Sequence, residues 1–444
     1  MAQSTFRILK KTALIGLLAQ AGFASAQSVD PAVLAGLETK FSAIQPKMVA
    51  WRRDIHQHPE LSNQETRTAK LVADHLKKLG LEVKTGVGGT GVVGLLKGGQ
   101  PGKVVALRAD MDALPVDEKS GLPFASKTKQ INMGVESPVM HACGHDGHTA
   151  MLMGVAEVLA GMRDQIKGSV KFIFQPAEEG RSLKEDMGKP VGAKAMVDAG
   201  ALENPKADAA FAIHIIPNMP SGQIGYRSGP LFASGDVVRI TVTGKQTHGA
   251  FPWNGIDPVV ASAQVVTALQ TVVARQLNIS KEPAVVSIGQ INGGNRENII
   301  PASVEMAGTL RTFDETMRAD AQKRITQAAE SAAAANGATA KVSFDPFGYA
   351  VTINNAALTQ SMIPVLAKVT NGTAKEASKF MASEDFSEFS NAVPGMYIVL
   401  GATPEGKTPA TAAPNHSPFF DFDEKVMPVG AKAMAAMALD FLAR

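Results

Sequence analysis

Apolar residues along this chain occur in two alternating patterns, and together they predict a layered α/β fold. Short, almost continuously apolar runs are typical of strands that are buried on both faces of a sheet. Such runs occupy residues 91–96, 104–108, 170–174, 209–214 and 396–400. Stretches with a helical spacing of apolar positions alternate with them, at residues 31–62, 65–79, 147–165 and 194–199. This alternation predicts a mostly parallel sheet flanked by helices.

The middle of the chain has a different order of elements. Its pattern predicts strand, helix, strand, strand, helix and strand, which is the order of a ferredoxin-like α+β module. The predicted elements are residues 236–243, 257–275, 284–290, 303–312, 315–335 and 340–344. We therefore expect one domain built from residues 27–234 and 346–444, with residues 235–345 inserted into it as a second domain.

The first residues have the pattern of an export signal. Basic residues precede an apolar stretch at 12–21, and Ala24, Ser25 and Ala26 form a small-residue cleavage site. Loss of residues 1–26 would remove three positive charges and no acid, so the formal net charge falls from +3 to 0. The pattern predicts an exported protein, periplasmic or secreted. The neutral mature chain gives no indication of a nucleic-acid or charged-membrane partner.

The only cysteine of the chain lies in a short run of possible metal ligands. The run reads Met140-His141-Ala142-Cys143-Gly144-His145-Asp146-Gly147-His148. A thiolate and an imidazole two residues apart can bind one ion, and this pair of donors favours zinc or a similar transition metal. A single cysteine cannot form an internal disulfide, and a bound metal would occupy its thiol in an oxidising compartment. The alternative is a buried free cysteine beside solvent-facing histidines.

Other acidic and histidine side chains follow the predicted strands. Glu178 and Glu179 come after one strand, His214 ends another, and His416 lies in a proline-bounded loop after a third. Because ligand sites in open α/β sheets lie beyond the carboxyl ends of the strands, we expect these groups to converge near Cys143. Adjacent acids are often only a solvated turn. Neighbours on an extended segment point in opposite directions, however, so one glutamate can bind a metal while the other accepts a proton, as metal-dependent hydrolysis requires.

Several longer motifs occur in order along nearly the whole mature chain. They are Arg52-Arg53-x-x-x-x-His58-Pro59-Glu60-Leu61, Arg108-Ala109-Asp110-Met111-Asp112-Ala113-Leu114-Pro115, the cysteine–histidine run, Gln175-Pro176-Ala177-Glu178-Glu179-Gly180, Gly244-x-x-x-His248, Asn298-x-Ile300-Pro301, Gly308-Thr309-x-Arg311 and Ser383-Glu384-Asp385-Phe386. In these motifs the chain resembles the cysteine-containing branch of the di-metal amidohydrolases. That family includes hippurate hydrolases, N-acyl-amino-acid aminoacylases, related carboxypeptidases and plant indoleacetyl-amino-acid hydrolases. The resemblance implies a zinc-peptidase-like sheet domain with an inserted lid and dimerisation domain.

The resemblance also implies a metal site. Two divalent ions would bind to Cys143, His145, Glu179, His214 and His416. Glu178 would be the general base that takes a proton from a metal-activated water, which then attacks an amide carbonyl. Zinc fits the thiolate and imidazole donors, and manganese, cobalt or nickel are alternatives.

Three residues of the predicted inserted domain are implied to serve the substrate. His248 would donate to the developing oxyanion when this domain closes over the site. Asn298 would be a companion polar contact, and Arg311 would hold a substrate carboxylate. Equally, His248 fits an ordinary loop histidine and Arg311 an exposed ion-pair residue. Relatives pair through this domain, which implies a homodimer.

These features predict an enzyme that hydrolyses the amide bond of small N-acyl amino acids. The competing interpretations are a carboxypeptidase or dipeptidase acting on short peptide-like substrates, and a non-catalytic periplasmic metal- or solute-binding protein. Departures from the family pattern leave the substrate open. Arg108 stands where more distant relatives have a histidine ligand, Trp253 stands where the branch often has histidine, and residues 181–191 form a longer segment than usual.

Overall fold

The computed structural model describes residues 31–444, which form a layered α/β structure. The predicted signal peptide, residues 1–26, lies outside the described residues and stays a prediction. The α-helices are Pro31–Gln57, Thr66–Lys78, His145–Ala160, Gly192–Asp198, Pro258–Thr271, Glu315–Ala334, Ala356–Val369, Ser387–Ala392 and Met427–Ala443. Shorter helical turns occur at Arg163–Gln165, Lys184–Asp186, Pro252–Asn254, Val272–Gln276 and Glu424–Val426.

A central eight-stranded sheet organises the larger part of the described chain. In spatial order its strands are Glu82–Thr85, Val92–Lys97, Lys167–Gln175, Gln100–Asp110, Ala209–Ile216, Gly395–Gly401, Ile224–Tyr226 and Lys375–Glu376. The four strands in the middle run parallel to one another, and antiparallel pairs occur on either side of them. The predicted mostly parallel architecture is therefore confirmed. It brings the carboxyl ends of four strands to one edge, where ligand sites form in such sheets.

Alternate side chains of the central strands are buried on opposite faces of this sheet. Phe172 and Phe174 belong to the larger hydrophobic core, beneath the helices His145–Ala160 and Met427–Ala443. Ile173, between them, belongs to a smaller core with Met196 and Phe389 on the other face. Burial on both faces explains why these strands read as continuous apolar runs in the sequence.

The C-terminal helix, Met427–Ala443, is part of the larger core. By length and composition alone the segment Glu424–Ala443 is apolar enough to cross a membrane, but 72% of its apolar window is buried inside the protein. It packs against the helices Pro31–Gln57, His145–Ala160 and Ala356–Val369. Such burial is typical of an apolar core helix.

A separate four-stranded antiparallel sheet forms in the middle of the chain, with the order of elements that the sequence predicts. In spatial order its strands are Ala284–Gly293, Ser303–Thr312, Asp236–Thr243 and Thr339–Phe344. Helices Pro258–Thr271 and Glu315–Ala334 pack on one face of it, where Val238 is buried. We call this unit the inserted module. The limits predicted for it, residues 235 and 345, stay predictions.

Small two-stranded sheets account for the other described strands. They pair Lys129–Asn132 with Val135–Pro138, Gly229–Phe232 with Thr352–Asn354, and Thr247–His248 with Ile299–Ile300. Two predicted helix ends were wrong: the helix expected over residues 147–165 ends at Ala160, and the helix expected over residues 31–62 ends at Gln57. Pro59 explains the end at Gln57, since the residue before a proline is sterically disfavoured in helical geometry.

Candidate metal centre

The carboxyl edge of the central sheet brings the predicted metal ligands together. His214 lies in a central strand, and Glu179 follows another. His145 is the first residue of its helix, and Gly144 before it has a left-handed backbone (φ 98°) that turns the chain into the helix. His416 has a left-handed backbone itself (φ 69°), in the loop after the last central strand.

The donor atoms form two overlapping groups that share Cys143. Its Sγ lies 3.4 Å from Nε2 of His214, and with His145 these donors lie within 4.8 Å of one another. On the other side, Oε1 of Glu179 lies 3.0 Å from Nε2 of His416, and this pair groups with the same sulfur. Two groups around one shared thiol can hold a pair of ions.

Hydrogen bonds to backbone carbonyls turn two of the histidines toward these groups. Nδ1 of His145 bonds to the carbonyl of Asp112 and Nδ1 of His214 to that of Ile215, each at 2.8 Å. Both contacts place a proton on Nδ1, so Nε2 is the ring nitrogen that is directed toward a metal. Nε2 of His145 is buried and has no hydrogen-bond partner among the described residues. A buried nitrogen without a partner is costly, and a metal ion at this position fits it.

The charges around the thiol also fit a cation. Burial and the carboxylates of Glu179 and Glu178 raise the pKa of Cys143 well above its ordinary value. Burial and neighbouring His148 lower the pKa of His214 well below its ordinary value, so this imidazole is in the neutral form that binds metals. A divalent cation would favour the thiolate and balance the negative cluster. One sulfur, three imidazole nitrogens and one carboxylate suit zinc or a similar transition metal.

Glu178 lies beside the ligand groups, and acidic neighbours surround its carboxyl. Its Oε2 is 3.9 Å from Nε2 of His145, and the residue is buried. Burial, followed by the charges of Glu384, Glu179 and Asp385, raises the pKa of Glu178 well above its ordinary value. A carboxyl with a raised pKa beside a hydrolytic centre can accept a proton and then return it.

The segment 177–179, which we call the base loop, is held by its backbone. Two carboxyls accept its three successive N–H groups: Glu65 accepts the first at 2.9 Å, and Asp112 accepts the next two at 3.0 Å each. Ala177 has a left-handed backbone (φ 52°), which residues other than glycine adopt only where contacts hold them. Because these contacts use backbone atoms, both glutamate side chains of the loop are left to the metal centre.

The pKa of Glu65 predicts how the stability of the protein changes with pH. Burial, together with the charge of Asp112, raises the pKa of Glu65 from 4.5 to about 8. The folded protein therefore retains a proton that the unfolded chain releases. The stability from this group is full below about pH 4.5 and is lost as the pH rises toward about 8. We expect the melting temperature of Glu65→Gln, relative to the parent protein, to increase over this range, as measured by scanning fluorimetry.

The control for this prediction is Glu82→Gln. Glu82 is exposed, so the same substitution there should leave the pH dependence of melting unchanged. If the parent protein and Glu65→Gln gave parallel melting curves between about pH 5 and about pH 8, the raised pKa of Glu65 would be wrong.

A buried ion-pair network lies behind the ligands. Arg108 donates to Asp110 at 2.7 Å, to Glu384 at 2.9 Å and to Asp385 at 3.1 Å. Asp110 also contacts Nδ1 of His148 at 2.6 Å, and the other nitrogen of this histidine accepts a backbone N–H of a central strand. Since both nitrogens of His148 are occupied, it supports the site without offering a lone pair to a metal. Arg108, which also contacts Asp110, has a permanent positive charge and likewise offers no lone pair to a metal.

A cavity of about 900 Å³ opens at the metal centre. Besides the acids of the metal centre and Glu384, Asp236 and Asp345, its walls include apolar and cationic side chains of the central-sheet region and the inserted module: Phe232, Phe347, Tyr349, Phe380, Met133, Met187, Arg181, Arg239 and Arg311. This volume lies in the range of sites for small-molecule ligands. The mixture of rings and guanidinium groups suits a substrate that has both an apolar part and an anionic part.

The inserted module contributes Arg311 to the cavity and leaves His248 and Asn298 outside it. Arg311 is half-buried, burial lowers its pKa, and its contact with the carbonyl of Ser234 is long, at 3.5 Å. Its guanidinium can therefore bind a ligand. His248 and Asn298 are exposed, and the N–H of Gly249 links their two segments. Neither belongs to the described residues that line the cavity, so the roles expected for both stay predictions.

Two residues at this site are not evident from the sequence. Glu65 precedes a helix, where an acid is ordinary because it faces the positive end of the helix dipole. Tyr349, which lines the cavity, follows the last strand of the inserted module. The sequence does contain a signal that could have pointed to Tyr349. The chain has only 3 tyrosines, and Tyr349 lies close to the predicted domain limit at residue 345.

The fold, the donor groups and the adjacent glutamate define a metal-dependent hydrolase. The chain belongs to Peptidase family M20/M25/M40, whose model matches residues 106–440. The resemblance inferred from the motifs is thereby confirmed, and the protein is a metal-dependent amide hydrolase. The metal centre proposed here also agrees with the family, which includes a dinuclear metal-binding peptidase from Bacillus subtilis.

Individual relatives match most of the chain. Thermostable carboxypeptidase 2 of Saccharolobus solfataricus is 42% identical over 406 residues, covering 91% of this chain and 98% of that protein. N-acyl-L-amino acid amidohydrolase of Geobacillus stearothermophilus is 42% identical over 311 residues, covering 70% of this chain and 79% of that protein. The structure of the Bacillus subtilis peptidase has a TM-score of 0.73 and 34% identity, covering 90% of this chain and 99% of that chain.

Proposed function

We propose that this protein hydrolyses the amide bond of N-acyl amino acids and releases the free amino acid. One observation carries the proposal, namely the convergence of four donor residues around the thiol of a fifth, with a separate glutamate beside them. The donors are Cys143, His145, Glu179, His214 and His416, and the separate glutamate is Glu178. The relative named as an N-acyl-L-amino acid amidohydrolase supports the same reaction.

In the proposed mechanism, Glu178 moves the proton. Two divalent ions, when bound to the five donors, supply a Lewis acid for the carbonyl and lower the pKa of water. The carboxylate of Glu178 accepts a proton from the attacking water and then delivers it to the nitrogen of the leaving amine. We propose zinc as the metal, with manganese, cobalt or nickel as alternatives.

Arg311 would bind the carboxylate of the substrate. Its guanidinium lines the cavity and is half-buried, and its hydrogen bond within the described part of the chain is the long contact with Ser234. We expect Arg311→Ala to lower kcat/KM about tenfold to a hundredfold, mainly by raising KM, because a hydrogen-bonded charge pair is lost. Steady-state kinetics on an N-acetyl amino acid would measure this change.

The matched comparison uses a substrate that lacks the negatively charged carboxylate. On the corresponding amino-acid amide, Arg311→Ala and the parent protein should have similar kcat/KM values, because this substrate has no carboxylate for Arg311 to bind. Arg239→Ala is the control variant, since Arg239 also lines the cavity but is more exposed. An equal loss on both substrates would contradict a carboxylate site at Arg311.

We also propose a homodimer that forms through the inserted module. The strand Ala284–Gly293 lies at an edge of its sheet, and Val285 and Ile291 on it are exposed. Val259 and Val260, on a helix of the same module, are exposed as well. Unpaired edges and apolar patches of this kind are suited to pairing with another chain. Light scattering after size-exclusion chromatography tests the proposal, and a monomer at micromolar concentration would contradict it.

We propose that His248 donates a hydrogen bond to the oxyanion when closure of the inserted module brings it to a catalytic cavity. It lies in an exposed segment of the inserted module, where Phe251 and Trp253 are also exposed. Asn298 lies beside this segment and would be its companion polar contact.

We also propose that the protein is exported to the periplasm or the medium, with cleavage near Ala26. Fractionation of cells that express the full chain or residues 27–444 would test the export.

A carboxypeptidase or dipeptidase activity is the second candidate, because a relative of 42% identity is named as a carboxypeptidase. The deciding experiment is a panel of N-acetyl amino acids, N-benzoyl amino acids and free dipeptides. Each is assayed after chelation and re-addition of zinc, manganese, cobalt or nickel. Preference for the N-acyl substrates supports the proposal, and preference for dipeptides supports the second candidate. Binding of N-acyl amino acids by the metal-loaded protein without cleavage would leave only a binding protein.

A further inference from the structure

The chain crosses twice between the central-sheet region and the inserted module, and backbone hydrogen bonds pair the two crossings. The N–H of Gly235 donates to the carbonyl of Tyr349 at 2.8 Å, and the N–H of Tyr349 donates to the carbonyl of Gly235 at 2.9 Å. Gly235 directly precedes the strand Asp236–Thr243, and Tyr349 follows the strand Thr339–Phe344. A rotation of the module relative to the central sheet therefore acts on this pair.

The second crossing, residues 345–349, contacts the base loop and Arg181, two residues after it. The hydroxyl of Tyr349 donates to the backbone carbonyl of Glu178 at 2.5 Å. The guanidinium of Arg181 pairs with the carboxylate of Asp345 at 3.1 Å. Both ends of this crossing are thus attached to the segment that carries the proposed general base.

The Tyr349 contact completes the set of bonds that hold the base loop. Glu65 and Asp112, both outside the inserted module, accept the N–H groups of the loop. Tyr349 binds the carbonyl of Glu178 from the side of the module. A displacement of Tyr349 would therefore turn the peptide unit of Glu178 and redirect its carboxylate. Misplacement of a reacting group by about 1 Å can cost about a hundredfold in rate.

We infer that Tyr349 is a positioning residue that makes the direction of the Glu178 carboxylate depend on the orientation of the inserted module. The hydroxyl acts through the backbone carbonyl of Glu178, so it needs no contact with the reacting atoms. This inference rests on the proposed function, because it requires Glu178 to be the general base. It extends that function by giving the inserted module control over the base itself.

Tyr349→Phe tests the inference, because it removes only the hydroxyl. We expect kcat to fall about tenfold to a hundredfold, KM to change by less than about threefold, and the pH profile of kcat/KM to keep its shape. Bound metal per chain should stay at the parental value. Hydrogen–deuterium exchange should increase in peptides that cover residues 177–182 and 345–350. The central strands should exchange as in the parent protein.

Tyr226→Phe is the matched control. It removes the same atom from a tyrosine that is not among the described residues lining the cavity. Asp345→Asn provides a second variant, in case Tyr349→Phe folds poorly. It weakens the contact with Arg181 at the other end of the crossing, and we expect a smaller fall in kcat, about twofold to tenfold, again with little change in KM.

Three results would overturn the inference. An unchanged kcat in Tyr349→Phe would show that the hydroxyl positions nothing, and a rise in KM alone would make Tyr349 a substrate contact. Loss of an alkaline limb from the pH profile would make its hydroxyl a titrating catalytic group. Failure of the proposed function is separate from these results. It would appear as undiminished turnover by Glu178→Gln, whatever Tyr349→Phe does.

Discussion

Glu178→Gln is expected to lower kcat by about 10²–10⁴ while the protein keeps its metal and its fold. Glutamine has nearly the same shape, and the base loop is held through backbone N–H groups by Glu65 and Asp112, so the local geometry should survive. An amide cannot accept the proton of the attacking water, so the loss should fall on kcat rather than on KM. Steady-state kinetics together with elemental analysis of bound metal would measure both quantities.

The matched control is Glu179→Gln, the same substitution one residue further along. Glu179 is a proposed ligand whose Oε1 lies 3.0 Å from Nε2 of His416, so its variant should lose metal affinity together with activity. The two variants therefore differ in bound metal although both lose turnover. Parental turnover by a metal-replete Glu178→Gln would end the assignment of Glu178 as the base.

Arg108→Met is expected to destabilise the protein by about 3–5 kcal/mol, because it leaves buried carboxylates without their partner. Arg108 is 2% exposed, and its guanidinium donates to Asp110, Glu384 and Asp385. Methionine fills much of the volume but provides no charge and no donor. The free energy of unfolding, measured by denaturant titration at a fixed metal concentration, would give the loss.

Arg53→Met is the control for this substitution. The side chain of Arg53 is 49% exposed and pairs with Glu424, and an exposed pair contributes at most about 1 kcal/mol. Adding Glu384→Gln to Arg108→Met should restore part of the lost stability, because one unpaired buried charge is removed. Equal losses for Arg108→Met and Arg53→Met would contradict the importance assigned to the buried network.

Much of the fold is predictable because burial leaves a direct pattern in the sequence. Phe172, Ile173 and Phe174 are consecutive apolar residues because both faces of their strand are covered. In the strand of the inserted module that begins at Asp236, buried and more exposed residues alternate, because helices cover only one of its faces. Glu179 and His214 reach the same centre because each lies at or after the carboxyl end of a central parallel strand, and these ends meet at one edge.

The remaining features depend on backbone contacts and on the placement of whole units. Glu65 and Tyr349 bind peptide groups of the base loop, and a peptide group has no side chain that could mark its partner in the sequence. His248 is not among the described residues that line the cavity, and its distance from the metal centre is set by how the inserted module is oriented. No local pattern of apolar residues encodes that geometry, so the sequence predicts this histidine only through its family resemblance.

The proposed ligands lie far apart along the chain, and this separation gives each ion a further effect. Cys143 and His214 are 71 residues apart, and His416 follows the last central strand. An ion that joins such distant points binds the folded chain and is released when unfolding separates them, so its binding free energy adds to the stability of the fold. The melting temperature should therefore rise with the logarithm of the free metal concentration. A thermal titration with a buffered metal would then report occupancy of the centre without any substrate.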